Sequence, residues 1–75
     1  MKAYRVEEMS GDAIVAVHAA EANTPFEAAE KALGLKVTLR GGADIWVRVV
    51  DLTERPRPVR LRPSTFEFRA IGNRK

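Results

Sequence analysis

Few residues of this 75-residue chain could take part in catalysis. His18 is the only histidine and cysteine is absent, so the thiolates and histidine clusters of common zinc sites are missing. The glycine-rich phosphate loops, the zinc-protease motif and the hydrolase nucleophile motif are not found either. We therefore expect a non-enzymatic protein with no catalytic residue, no bound metal and no cofactor, and no small-molecule ligand is predicted.

The basic residues suggest a different kind of chemistry, the binding of an anion. Residues 1–54 carry six Lys or Arg against nine Asp or Glu, whereas residues 55–75 carry seven against Glu67 alone. Such asymmetry indicates an anionic partner, and guanidinium groups can bind phosphate bidentately. A GC-rich coding sequence would also enrich arginine, so the asymmetry could reflect composition alone. The candidate residues for binding nucleic acid or another anion are Arg55, Arg57, Arg60, Arg62 and Arg69.

Trp46, the only tryptophan, is the second candidate for contact with a partner. It lies in the middle of an apolar, β-branched run that is typical of a strand. If the helix covers only the opposite side of this strand, Trp46, Val50 and Leu52 form an exposed apolar strip that suits a protein partner. The alternative is that Trp46 packs against Phe66 or Phe68 in the protein's own core.

The first half of the chain has the pattern of a β-hairpin. Alternation at residues 2–8 predicts a first strand, Gly11 predicts a tight turn, and the β-branched run at 13–20 predicts a second strand. Both parities of that second strand are apolar. This indicates either a strand covered on both faces or a strand whose second face meets a partner.

A helix is predicted over residues 25–33. Thr24 and Glu27 form a capping box, in which each side chain accepts a hydrogen bond from the other residue's backbone N–H. Pro25 suits the first helical position, and Gly34 suits the position that ends a helix. Phe26 and Leu33 lie on the apolar side that would pack on a sheet.

Two further alternating segments follow, at residues 35–40 and 45–50, with Gly41-Gly42 between them. We favour a hairpin across residues 40–44. The alternative is that residues 35–42 form an irregular loop that leads to one central strand.

The last third of the chain divides into an arm and a strand. Three prolines predict an extended Pro/Arg-rich arm at 55–63, because proline cannot donate to a strand ladder. Residues 64–71 alternate, with Phe66 and Phe68 on one face, and predict a final strand that returns to the core. Residues 72–75 are expected to fray. Whether the arm is docked or free is left open.

The strand–turn–strand segment followed by Thr24-x-x-Glu27-Ala28 resembles the start of HicB-type antitoxin domains. It also resembles small archaeal ribosomal proteins with a β-β-α-β core. The resemblance covers about a third of the chain and implies a similar arrangement of strands and helix there. No functional residue is carried over from it.

Together these patterns predict one α+β domain over residues 1–75, with an acidic body at 1–54. Its expected architecture is a three- to five-stranded, mainly antiparallel sheet, β-β-α-β-β-arm-β, with one helix packed on one face. We expect a cytoplasmic interaction domain, since no segment is long and apolar enough to target or span a membrane. Self-association through a sheet edge or the Trp46 face is the leading prediction, as a homo-oligomer or with another protein. The alternative is RNA or DNA binding through the arginine-rich arm, and the third alternative is a small enzyme of unknown type.

Overall fold

The computed structural model describes residues 1–52 and 65–71. Within these ranges the chain forms five strands and one helix. Their bounds are β1 (Lys2–Ser10), β2 (Ala13–Ala22), α1 (Pro25–Leu33), β3 (Lys36–Leu39), β4 (Ile45–Asp51) and β5 (Thr65–Ile71). The first two strands are each two residues longer than the alternation in the sequence predicts.

The five strands form one sheet in the order β2-β1-β4-β5-β3, and every neighbouring pair is antiparallel. The single helix packs on one side of this sheet and contacts all five strands. The predicted α+β class, with a mainly antiparallel sheet and one helix on one face, is confirmed. We call the side under α1 the helix face and the opposite side the far face.

The predicted hairpin between β3 and β4 is wrong. β3 is a strand, but β5 lies between it and β4, pairing with both. The insertion places Phe68 opposite Val47 on one side and Leu39 on the other, on the helix face. Because the alternating phenylalanines of β5 are its apolar side, a central position buries more apolar surface than an outer one would.

The core lies between the sheet and α1. Opposite residues in an antiparallel pair share a face, so the registers place one parity of each strand under the helix. The buried residues of this core are Tyr4, Val6, Ala22, Ala28, Ala29, Val37, Val47, Val49 and Phe68. The ring of Phe26 meets that of Phe68 edge to face, with 5.7 Å between their centroids.

Both predicted ends of the helix are confirmed, with one difference in the N-terminal hydrogen bonds. The backbone N–H of Glu27 donates to Oγ1 of Thr24 at 3.1 Å, as expected of a cap. The carboxylate of Glu27 accepts from the backbone N–H of Asn23 at 3.0 Å, one residue earlier than predicted. Gly34 ends the helix in the left-handed region, with φ 69°, and its N–H donates to the carbonyl of Glu30.

The arm predicted at 55–63 and the frayed end predicted at 72–75 lie outside the described residues. The final strand predicted at 64–71 is present as β5.

Replacing the helix cap tests how far local chemistry fixes α1. We expect Thr24→Ala to lower the free energy of unfolding by about 1 kcal/mol, because the N–H of Glu27 loses its acceptor. Thr24→Ser is the matched control, since serine keeps the hydroxyl. Urea denaturation followed by circular dichroism measures both variants, and equal losses in the two would contradict the capping role.

Candidate interaction edge

The β2 edge of the sheet carries three exposed apolar side chains. Among the described residues, β2 pairs with β1 alone and forms an outer strand. It is ten residues long, and its side chains Ile14, Val15 and Val17 are 52%, 65% and 55% exposed. An outer strand presents a row of backbone N–H and C=O groups to any strand that approaches it.

The β2 edge lacks two of the usual protections against pairing, a basic side chain and a proline, although it carries one bulge, at Val15. Proteins shield outer strands with lysine, proline or short length, and β2 contains neither lysine, arginine nor proline. The opposite outer strand, β3, differs on both counts: it has four residues and begins with Lys36. The two edges of the sheet are therefore not equivalent, and β2 is the one suited to pairing.

The turn that joins β2 to β1 is held in place by neighbouring strands. Gly11 has φ 58°, a left-handed conformation that favours glycine, and its N–H donates to the carbonyl of Asp44 at 2.7 Å. The indole N–H of Trp46 donates to the carbonyl of Gly11 at 2.9 Å. A register shift between Glu8 and Met9 adds one residue, Val15, to the β2 side of the ladder.

Trp46, Val50 and Leu52 do not form one exposed strip. Trp46 and Val50 are 4% and 5% exposed, whereas Leu52 is 50% exposed. The alternative for Trp46 is confirmed in part: the side chain is buried, but on the opposite face from Phe66 and Phe68. Its neighbour Val47 lies opposite Phe68 on the helix face, so Trp46 points to the far face, away from that ring.

The ring of Trp46 instead lies against a cation. The guanidinium carbon of Arg40 is 3.9 Å from the ring centroid, a cation–π contact. Arg40 also donates from Nε to the carbonyl of Ala43 and from Nη1 to Glu67. Arg40, which follows β3, is thus connected to β4 through Trp46 and to β5 through Glu67.

Of the five predicted anion-binding arginines, only Arg69 lies within the described residues. It is exposed on the far face of β5. Arg55, Arg57, Arg60 and Arg62 lie outside those residues, so nucleic-acid binding through the arm stays a prediction.

A buried carboxylate that sequence reasoning missed lies on the far face. Glu7 is buried, and its two oxygens accept from Nε of Arg5 at 2.9 Å and Nε of Arg48 at 2.6 Å. Arg48 lies directly opposite Glu7 in β4, so the strand register would have been needed to find this cluster. Both oxygens are occupied by cations, which suits an ion cluster that stabilises the sheet.

His18 lies on the helix face of β2 and contacts a carboxylate of the adjacent strand. Its Nε2 is hydrogen-bonded to Oε2 of Glu8, and both side chains are partly exposed. His18 lies opposite Val6, two residues before Glu8, so the pair bridges the two strands diagonally.

Within residues 1–52 and 65–71, no group of three or more His, Cys, Asp or Glu is placed to hold a metal ion. In the same ranges, α1 is too short to cross a membrane. No family model, curated protein or solved structure matches this chain.

The buried carboxylate generates a prediction about stability. We expect Glu7→Gln to lower the free energy of unfolding by about 2 kcal/mol, because the amide offers one acceptor and turns an NH₂ donor toward an arginine. Glu67→Gln is the control, since Glu67 is half-exposed and binds Arg40 at the surface. Chemical denaturation in parallel measures both. A loss for Glu7→Gln no larger than that of the control would contradict the proposed role of the cluster.

Proposed function

We propose that this protein is a non-enzymatic interaction domain that self-associates by antiparallel pairing of β2 with β2 of a second copy. The observation that carries the proposal is the long, apolar edge of β2, which contains no lysine, arginine or proline. Pairing would join two five-stranded sheets into one sheet of ten strands and satisfy the outward backbone groups of both edges.

The sequence of β2 supports a second copy as the partner. Antiparallel pairing centred on Val17 would bring the Val17 side chains of the two copies together on the far face. The same register places His18 opposite Ala16 of the second copy and Glu21 opposite Ala13, so no like charges meet. A register shifted to centre on His18 would place two histidines face to face.

The size of the domain favours association. A chain of 75 residues buries a smaller fraction of its surface than a larger domain does, and no disulfide is available to compensate. Apolar side chains that remain more than half exposed on β2 would gain stability from a second copy. In a twofold dimer of this kind both helices lie on the same side of the joined sheet.

The proposal predicts a dimer that a charge on β2 disrupts. We expect the weight-average mass from sedimentation equilibrium to approach that of a dimer across the micromolar range. Val17→Lys should return it to the monomer, because two lysines would meet at the centre of the pairing.

Leu39→Lys is the matched control for this prediction. Leu39 is 73% exposed and lies on β3, at the other edge of the sheet, so the same change there should leave the dimer intact. Hydrogen exchange of the β2 amides should also slow as the protein concentration rises. A strict monomer at high micromolar concentration, or equal disruption by both lysines, would overturn the proposal.

A further inference from the structure

A concave site lies on the helix face, beside the C-terminal end of α1. This site, which we call the trough, has a volume of about 680 Å³. Its floor comes from the sheet and one wall from the end of the helix. The residues that define it are Glu8, His18, Leu33, Leu35, Ile45 and Val47.

The size and lining of the trough suit a small molecule. Ligand sites in proteins commonly have volumes of roughly 300–1,000 Å³, with mostly apolar walls and a few placed polar groups. Here the apolar floor includes Val47 and Ala70, and the ionisable lining residues are Glu8 and His18. The trough is therefore an apolar surface with one hydrogen-bonded polar pair at its side.

The electrostatics of the trough favour a cation. Among the described residues, its lining includes the carboxylate of Glu8 but neither lysine nor arginine. A neutral imidazole can donate the hydrogen bond that Glu8 accepts, and the pair then carries a single negative charge. The last turn of α1, at Ala32 and Leu33, adds the partial negative charge of a helix C-terminus.

The carboxylate of Glu8 is held in place by His18, and one of its oxygens can still accept a hydrogen bond from a ligand. Its Oε2 is engaged by His18, whereas its Oε1 has no hydrogen-bond partner among the described residues. Glu8 and His18 are held on adjacent, paired strands, so the orientation of the carboxylate is fixed before a ligand arrives. A fixed carboxylate with a free oxygen can accept a charge-assisted hydrogen bond from an N–H donor.

We propose that the trough binds a small organic ammonium ion, with its apolar body on Val47 and Leu33 and its amino group donating to Oε1 of Glu8. This proposal does not rest on the proposed dimer, although Val15 of β2 lies both at the β2 edge and in the lining of the trough. Strand pairing uses backbone groups in the plane of the sheet, whereas the trough uses side chains that stand perpendicular to it. Its failure would therefore leave the β2 proposal unaffected.

The test is a titration followed by amide chemical shifts in NMR, with three probes of the same length: hexylammonium, hexanol and hexanoate. We expect saturable shifts at the residues of the trough with hexylammonium. Hexanol should bind about fivefold more weakly, because it lacks the charge-assisted bond to Glu8, and hexanoate more weakly still. Added sodium chloride should weaken binding of the ammonium ion alone.

Two variants locate the site. Glu8→Gln should weaken hexylammonium binding about fivefold and leave hexanol binding unchanged. Glu21→Gln, which removes the same charge from the far face of β2, should change neither. Ala70→Leu, which narrows the trough at an exposed position of β5, should weaken both probes while the spectrum stays dispersed.

Three results would overturn the proposal. The first is the absence of saturable shifts in the trough with hexylammonium at millimolar concentration. The second is equal affinity for hexylammonium and hexanol, which would show an apolar hollow without preference for a cation. The third is equal loss of binding in Glu8→Gln and Glu21→Gln, which would show that only the net charge of the protein matters.

Discussion

The insertion of β5 between β4 and β3 is the constraint on which the rest of the sheet depends. It places Phe68 at the centre of the helix face, beside Val47 and under Phe26. Among the described residues β3 has no other strand neighbour, so its place in the sheet depends on this return of the chain. Arg40, at the end of β3, then reaches the backbone and carboxylate of Glu67 and the ring of Trp46. The C-terminal strand β5 is thus an integral part of the sheet, because its residue Phe68 is buried in the core.

Local chemistry made the helix and the first hairpin predictable. The hydroxyl of Thr24 caps the start of α1, and Gly34 ends it in the left-handed conformation. Both signals lie within one turn of the helix end that they define. The strand order was not predictable in the same way, because two alternating segments near each other in sequence suggest a hairpin whether or not a third strand separates them. The ion cluster around Glu7 could not be predicted from the sequence for a related reason. Glu7 and Arg48 are distant in sequence and become neighbours only through the register of β1 and β4. The apolar second face of β2 was visible in the sequence, and its exposure was one of two readings left open.

The short helix accounts for the trough on the helix face. A helix of nine residues is about 14 Å long, whereas the ten residues of β2 extend about 34 Å. One such helix cannot cover the whole of its face. It packs over Tyr4, Val6 and Ala22, toward one end of β1 and β2, and ends before the sheet does. The side chains past its C-terminus, among them Ile45 and Val15, are consequently left accessible.

Most of the ion pairs of the described residues lie away from β2 and the trough. Arg5 and Arg48 are paired with Glu7, Arg40 with Glu67, and Lys2 with Asp51. These cations are partly neutralised within the sheet, so within the described residues they do not form a free basic surface. Glu8 differs, because among the described residues only one of its oxygens has a hydrogen-bond partner, Nε2 of His18. The β2 strand connects the two proposed sites, since its backbone edge would pair with a second copy in the proposed dimer, while His18 contacts Glu8 from the same strand. A single strand can serve both roles because its hydrogen-bonding groups and its side chains point in perpendicular directions.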